Sequence, residues 1–339
     1  MLDVENGARR LLMAAHVERI SLSETIWRPS NISKFHPDYF LLMGIPGLEE
    51  SHLLLSIIFF IIYVLALMGN STLLLVISIS ESLHQPMYLF LMMLSVGDIL
   101  LSSSTVPKAL SIFWLGSHAI SFNGCLIQIF FIHFICMTES AVLLAMAYDR
   151  YIAICHPMTY VTKLTPSFIR LVMVISLARS VVIMIPVILL LRRLPYQGSN
   201  VIEHTYCEHM AMARLATASI MANIIYGMVI IICTSVIDLF LIGLSYVSII
   251  RAVMALSTST ARHKTFSTCV SHICVIILLY VPAFFSFIIH RIPHTVIPPY
   301  VHILIANLYV LVPPMMNPII YGVRTKEIRQ RIFLLFRMK

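Results

Sequence analysis

Seven long apolar runs constrain this chain more than any other feature of its sequence. A helix needs about 20 apolar residues to cross roughly 30 Å of hydrocarbon. Runs of that length or more cover residues 52–79, 87–114, 123–148, 168–191, 218–250, 266–290 and 299–321. They are too long and alternate too weakly for barrel strands. Because backbone groups in lipid must hydrogen-bond within the chain, the expected fold is an all-α membrane protein with a seven-transmembrane helix bundle.

Composition supports this class and argues against several others. The chain is 59% hydrophobic and only 11% charged, whereas soluble domains are about 25% charged. No Gly-rich phosphate loop, HExxH zinc motif or plausible Ser/His/Asp arrangement is present, so we expect no enzyme. The net charge of +8 follows from basic residues beside the predicted helices. We therefore expect the lipid membrane as a partner and no nucleic acid.

The distribution of basic residues predicts the orientation. With the N-terminus outside, the inner segments hold 12 of the 23 lysines and arginines, six of them after residue 323. Residues 1–51 hold five basic and seven acidic residues. The positive-inside rule then favours an extracellular N-terminus and a cytoplasmic C-terminus. The expected location is the cell membrane, with several spans.

Three regions follow from these patterns. Residues 1–51 form an extracellular tail, within which residues 1–28 are expected to be disordered and Asn31 begins a glycosylation sequon. Residues 52–321 form the transmembrane bundle. Residues 322–339 form a cytoplasmic amphipathic tail, whose alternating apolar and basic residues suit a short helix on the inner membrane surface.

Six short motifs, in order along the chain, carry a family resemblance. They are residues 40–49 (FLLMGIPGLE), Gly69-Asn70, residues 86–91 (PMYLFL), residues 146–157 (MAYDRYIAICHP), residues 264–272 (KTFSTCVSH) and residues 314–321 (PMMNPIIY). Together they resemble the class I (fish-like) odorant receptors, a branch of the rhodopsin-like G-protein-coupled receptors. The match covers nearly everything after Asn31.

The resemblance implies a function. Such a receptor binds a small odorant in the outer half of the bundle, activates a heterotrimeric, stimulatory olfactory-type G protein and raises cyclic AMP. A multi-pass transporter or channel is the alternative, because charged residues inside helices can mark a transport path. Internal repeats are common in transporters, and this sequence shows none. A non-olfactory chemosensor with the same mechanism also stays open.

The seven cysteines cannot all pair within the chain. Cys125 opens the third helix on the predicted outer side, and Cys207 lies in the following outer loop. In this oxidising compartment we expect a Cys125–Cys207 disulfide that holds the loop over a pocket. Gln197 and Thr217 replace two further loop cysteines that are common in the family.

Residues for activation and G-protein coupling also follow from the resemblance. They are Asp149, Arg150, Tyr280, Asn317, Pro318 and Tyr321. Arg150 is expected to leave Asp149 on activation, to contact the G protein and to approach Tyr321. Tyr280 precedes Pro282, whose missing backbone donor permits a helix bend.

Asp98 and Glu139 are carboxylates inside predicted spanning helices. Buried acids of this kind are functional candidates, and two that share a site repel each other unless one is protonated or a cation lies between them. The resemblance implies a sodium ion as an allosteric ligand, and we expect no cofactor. The alternative is a protonated acid in a hydrogen-bonded network. Arg179 and Asp238 also lie within helices, and their partners cannot be inferred from the sequence.

The expected ligand contacts lie on the third and sixth helices: His133, Cys136, Met137, Phe284, Phe287 and Arg291. On the third helix they share a face by i, i+3 and i+4 spacing. The specific hypothesis is a carboxylic acid, with its anion near Arg291 and His133 and its alkyl part on Met137 and Phe287. Alternatively, His133 is a satisfied core residue and Arg291 extends to lipid headgroups.

Overall fold

The computed structural model describes residues 36–255, 258–289 and 298–337. Eight helices dominate them: α1 (His52–Ile79), α2 (Pro86–Leu115), α3 (Phe122–Cys155), α4 (Pro166–Arg193), α5 (Met221–Met254), α6 (Ser259–Ile289), α7 (Pro299–Arg324) and α8 (Lys326–Arg337). Helices α1 to α7 each contain a span long and apolar enough to cross a membrane, which confirms the predicted seven-helix bundle. Helix α3 continues seven residues beyond the apolar run 123–148, so Asp149 and Arg150 lie within it.

Local sequence explains where several helices begin. Ser121 caps α3 by accepting a hydrogen bond from Gly124 N at 3.0 Å, and Thr165 caps α4 through Phe168 N at 3.2 Å. Proline occupies the first position of α2, α4 and α7, where its lack of an N–H costs nothing. Gly116 ends α2 with φ of 61°, a conformation that glycine adopts without strain.

A small sheet closes one end of the bundle. Strand β1 (Tyr39–Leu42) pairs antiparallel with β2 (Ala119–Ser121) and parallel with β3 (Val201–Ile202). The segment before α1 is therefore joined by backbone hydrogen bonds to the α2–α3 and α4–α5 connections. We call this end of the bundle the sheet end, and the opposite end the Arg150 end.

Helix α3 is the central helix: most of its apolar span is buried within the bundle, whereas most of the spans of α1 and α5 is not. Large apolar side chains on the outer helices are exposed instead, for example Leu54, Val174 and Phe240, as a lipid-facing surface requires. Helix α8 has the expected amphipathic pattern, with Ile328 buried and Phe333 exposed.

Three predictions fall on residues that the structure does not describe. They are the disorder of residues 1–28, the glycosylation of Asn31 and the ligand contact at Arg291.

Candidate ligand-binding site

A cavity of about 300 Å³ lies between α3, α4, α5, α6 and α7 toward the sheet end. Five predicted ligand contacts line it: His133, Cys136, Met137, Phe284 and Phe287. The helical spacing on α3 and α6 thus brought these residues together. The lining is mostly apolar, with a few polar groups, which is typical of sites for small organic molecules.

The loop between α4 and α5 covers this cavity. Cys125 and Cys207 form a disulfide with their Cα atoms 5.4 Å apart, as predicted. Cys207 N also donates to Gln128 Oε1 at 2.8 Å, and the Tyr206 hydroxyl donates to the α7 carbonyl of Ala306 at 3.2 Å. These bonds hold the loop across the top of α3 and α7.

The loop also adds polar lining that the sequence did not predict: Glu208, His209 and Arg214. A short helix, His209–Ala213, forms here because Glu208 Oε2 accepts a hydrogen bond from Ala211 N at 2.6 Å. The His133 and His209 rings lie edge to face with their centroids 6.3 Å apart. The sequence signal that could have identified Glu208, His209 and Arg214 was their proximity to Cys207, which is part of the predicted disulfide.

A chain of polar side chains begins at the cavity lining, with Tyr280 and Ser140, and crosses four helices. Tyr280 Oη of α6 lies 2.7 Å from Ser140 Oγ of α3, and Ser140 donates to Asp238 Oδ2 of α5 at 2.7 Å. Arg179 of α4 binds both Asp238 oxygens, at 2.9 Å and 2.8 Å. Arg179 and Asp238, whose partners the sequence left unassigned, therefore pair with each other.

Helix α5 changes its geometry beside this polar chain. A π-helical turn, Ile232–Val236, ends two residues before Asp238, and Thr234 and Ser235 of that turn line the cavity. Such π turns often occur at functional sites. Together with Pro282 inside α6, it places a departure from regular helix on both sides of the cavity.

The two predicted acids lie on neighbouring helices at the bundle centre. Asn317 Nδ2 of α7 donates to both oxygens of Asp98, at 3.0 Å and 3.1 Å. Glu139 is 2% exposed, and a Cβ at Gly97, next to Asp98, would lie 3.0 Å from Glu139 Oε1. Within the described part of the chain, neither Glu139 oxygen has a hydrogen-bond partner.

At the Arg150 end, Asp149 accepts a hydrogen bond from the Tyr160 hydroxyl at 2.8 Å. No ion pair joins Asp149 to Arg150 among the described residues, so the expected pairing of these neighbours is not formed. Burial, and then the Asp149 carboxylate, raise the pKa of Tyr160, which keeps its hydroxyl a donor. A second cavity of about 400 Å³ opens beside Asp149 and Arg150.

Helix α7 packs tightly on α1 close to Asn317. A Cβ on Gly69 would lie 2.7 Å from Pro318 Cγ, so glycine is needed for this approach. Asn70 Nδ2 donates to the Pro314 carbonyl at 2.8 Å. Tyr321 is buried, and its hydroxyl has no partner in the described ranges; the predicted approach of Arg150 to Tyr321 stays a prediction.

Seven spanning helices, a covered cavity near one end and an Asp-Arg motif at the other define the class of rhodopsin-like seven-helix receptors. Residues 59–339 match the olfactory receptor family. The chain belongs to this family.

Curated human relatives match the chain along almost its whole length. Olfactory receptor 52D1 is 53% identical over 310 residues, which cover 91% of this chain and 98% of the relative. Olfactory receptor 52B2 is 52% identical, with 89% and 94% covered, and olfactory receptor 52K1 is 51% identical, with 92% and 99% covered. These relatives are consistent with the class I assignment. They make the chain a multi-pass membrane receptor and favour that class over a transporter, channel or enzyme.

Proposed function

We propose that this receptor binds a small, partly apolar odorant in the cavity between α3 and α6 and activates a stimulatory olfactory-type heterotrimeric G protein, raising cyclic AMP. The sheet end faces the outside of the cell membrane, and the Arg150 end faces the cytoplasm. One observation carries the proposal: the cavity lining includes Tyr280 and Ser140, which begin the polar chain to Asp238 and Arg179. A ligand can therefore act on four helices through one contact.

The residues around the cavity suggest how ligand binding affects the Arg150 end. Tyr280 and Phe284 present stacked rings on α6, with centroids 6.0 Å apart. A ligand that contacts these rings changes the geometry of the Tyr280–Ser140 hydrogen bond. Pro282 allows α6 to bend at this level, and α6 then moves at the Arg150 end. Arg150, Asn317, Pro318 and Tyr321 are the residues that would respond there.

The specific ligand hypothesis is a carboxylic acid held by Arg291 and His133. His133 lies in the cavity and Arg291 lies outside the described residues. A guanidinium forms strong bidentate hydrogen bonds with a carboxylate, and the apolar lining from Met137 to Phe287 suits an alkyl chain. The alternative is a neutral odorant that makes no contact with Arg291.

Cyclic AMP responses to carboxylic acids and size-matched alcohols test both the ligand hypothesis and the G-protein coupling. We expect the acids to act, Arg291→Ala to lose that response, and Arg150→Ala to lose signalling to every odorant. Arg193→Ala is the matched control, because Arg193 is an exposed arginine at the end of α4 outside the cavity lining. A response to alcohols alone would contradict the role of Arg291 and keep the receptor. Full signalling by Arg150→Ala would contradict the coupling role.

We also propose that sodium binds between Asp98 and Glu139. Sodium prefers oxygen ligands, as other hard cations do. Four buried oxygens without a hydrogen-bond partner in the described residues fit this need: both Glu139 carboxylate oxygens, Ser95 Oγ and Asn317 Oδ1. A bound cation would neutralise the two adjacent acids, and a proton on one of them is the alternative.

A further inference from the structure

Asn223 has an unusual environment for a buried asparagine. It is the third residue of α5, is 2% exposed and lines the cavity. Its Nδ2 atom has no hydrogen-bond partner among the described residues. A buried amide donor is normally paired, so this residue of the cavity wall carries an amide donor that the described residues leave without an acceptor.

The other buried asparagines differ. Asn70, Asn307 and Asn317 are the remaining ones among the described residues, and the Nδ2 atom of each donates to a protein oxygen. Asn307 is the closest match: it is 3% exposed, Nδ2 donates to Ile303 O at 2.7 Å and Oδ1 accepts from Thr205 Oγ1 at 2.7 Å. Asn307 therefore holds the loop to α7, whereas the donor of Asn223 has no acceptor among the described residues.

The wall below Asn223 has space for a carbon chain. Gly227 lies one helical turn further along α5, and a Cβ built on it would meet no atom within 4 Å in the described part of the chain. Ile231 and Thr234 continue the same face and also line the cavity. From Asn223 to Ile231 the helix rises about 12 Å, along which the lining is open backbone and aliphatic side chain.

We propose that Asn223 determines ligand specificity: its Nδ2 donates a hydrogen bond to the carbonyl oxygen of the odorant, whose carbon chain runs along Gly227 toward Ile231. The ligand class is a carbonyl compound, whether aldehyde, ketone or carboxylic acid. This inference rests on the proposed function, because it places the odorant in the same cavity. It adds a polar contact on α5 to the α3 and α6 residues that the sequence singled out.

Ligand-dependent thermal stability of the detergent-solubilised full-length receptor tests this contact without requiring activation. At equal ligand concentration, a ligand that binds the folded state more tightly raises the unfolding midpoint further, with the logarithm of its affinity. The probes are octanal, 2-octanone, octanoic acid and octane, which share chain length. We expect the three carbonyl compounds to bind the wild-type receptor about tenfold more tightly than octane, the size of effect that one neutral hydrogen bond gives.

Two substitutions at Asn223 separate the contact from the fold. Asn223→Leu keeps a similar volume and removes the donor, so it should fold normally and lose the tenfold preference. Asn223→Asp should weaken octanoic acid binding more than octanal binding, because the two carboxylates repel. Gly227→Val fills the open space and should weaken all eight-carbon probes alike, while butanal loses less.

Asn307→Leu is the matched control. It removes two satisfied hydrogen bonds, so it should lower the unfolding midpoint and leave the carbonyl preference unchanged. The inference is overturned if the wild-type receptor shows no carbonyl preference, or if Asn223→Leu keeps it. Cyclic AMP assays separate the Asn223 contact from the proposed receptor function. Signalling to any odorant without a carbonyl preference supports the receptor function and rejects the Asn223 contact. Loss of preference in Asn223→Leu without any cyclic AMP response supports the contact and rejects the coupling.

Discussion

Two buried polar clusters within the bundle differ in how their charges are balanced. In the paired cluster, Arg179 binds both oxygens of Asp238 at 2.9 Å and 2.8 Å, and Ser140 adds a third hydrogen bond. In the acidic cluster, Asp98 takes its hydrogen bonds from the neutral amide of Asn317, and Glu139 takes none among the described residues. One cluster carries its own counter-charge, and the other holds two acids with no counter-charge among the described residues.

This difference indicates a structural role for the paired cluster and an ion-binding role for the acidic cluster. An ion pair to a buried carboxylate holds helices in one arrangement, and it is costly to break from one side. A pair of acids without a base needs a proton or a cation from outside. We therefore expect substitutions in the paired cluster to act mainly on stability and coupling, and those at Glu139 to act mainly on ion dependence.

The largest expected effect is that of Arg179→Met. This substitution leaves the buried Asp238 carboxylate without its cation, and breaking a buried pair in this way costs about 3 kcal/mol of unfolding free energy. Thermal or denaturant unfolding of solubilised receptor measures it. The double variant Arg179→Met with Asp238→Leu removes both charges and should recover most of the loss. Arg193→Met, at the exposed end of α4, is the control, and an equal effect there would contradict the ion-pair role.

A smaller loss is expected for Asp98→Leu. The substitution leaves Asn317 Nδ2 buried without an acceptor, at a cost of about 2 kcal/mol. Asp98→Asn keeps an acceptor oxygen for Asn317 and should cost less than half as much. Unfolding of the two variants side by side gives the comparison. Equal stability of the two would mean that the Asn317 hydrogen bonds contribute little.

Tyr280→Phe comes next, with a modest effect on stability and a larger one on signalling. The variant loses the 2.7 Å hydrogen bond to Ser140, worth about 1 kcal/mol. Because that bond joins the cavity to the paired cluster, odorant-stimulated cyclic AMP should also fall.

Tyr226→Phe is its control. Tyr226 donates to the Ile183 carbonyl at 3.0 Å and joins α5 to α4 without lining the cavity. Its loss should cost similar stability and leave signalling intact. Equal signalling in the two variants would contradict a role for Tyr280 in transmission.

The sequence predicted the elements of this fold well because their signals are local. Apolar length predicts a spanning helix, and helical spacing places His133, Cys136 and Met137 on one face. It could not predict the Arg179–Asp238 pair, since 59 residues separate them and their meeting depends on how α4 and α5 rotate in the bundle. The loop lining from Glu208 to Arg214 was missed for a related reason: loop conformation follows from the disulfide and the α7 contacts. The hydrogen bond from Tyr160 to Asp149 likewise needs the tertiary fold.

The smallest expected effect on stability, and the clearest for the comparison, is that of Glu139→Gln. Since the Glu139 oxygens have no hydrogen-bond partner among the described residues, the neutral amide should change unfolding free energy by less than about 1 kcal/mol. If sodium holds the two acids together and stabilises the inactive state, replacing sodium by a large organic cation raises basal cyclic AMP in the wild-type receptor. Glu139→Gln should show no such response. Basal cyclic AMP that does not depend on sodium in the wild-type receptor would instead indicate a proton shared by Asp98 and Glu139. The acidic cluster would then be a neutral hydrogen-bonded network.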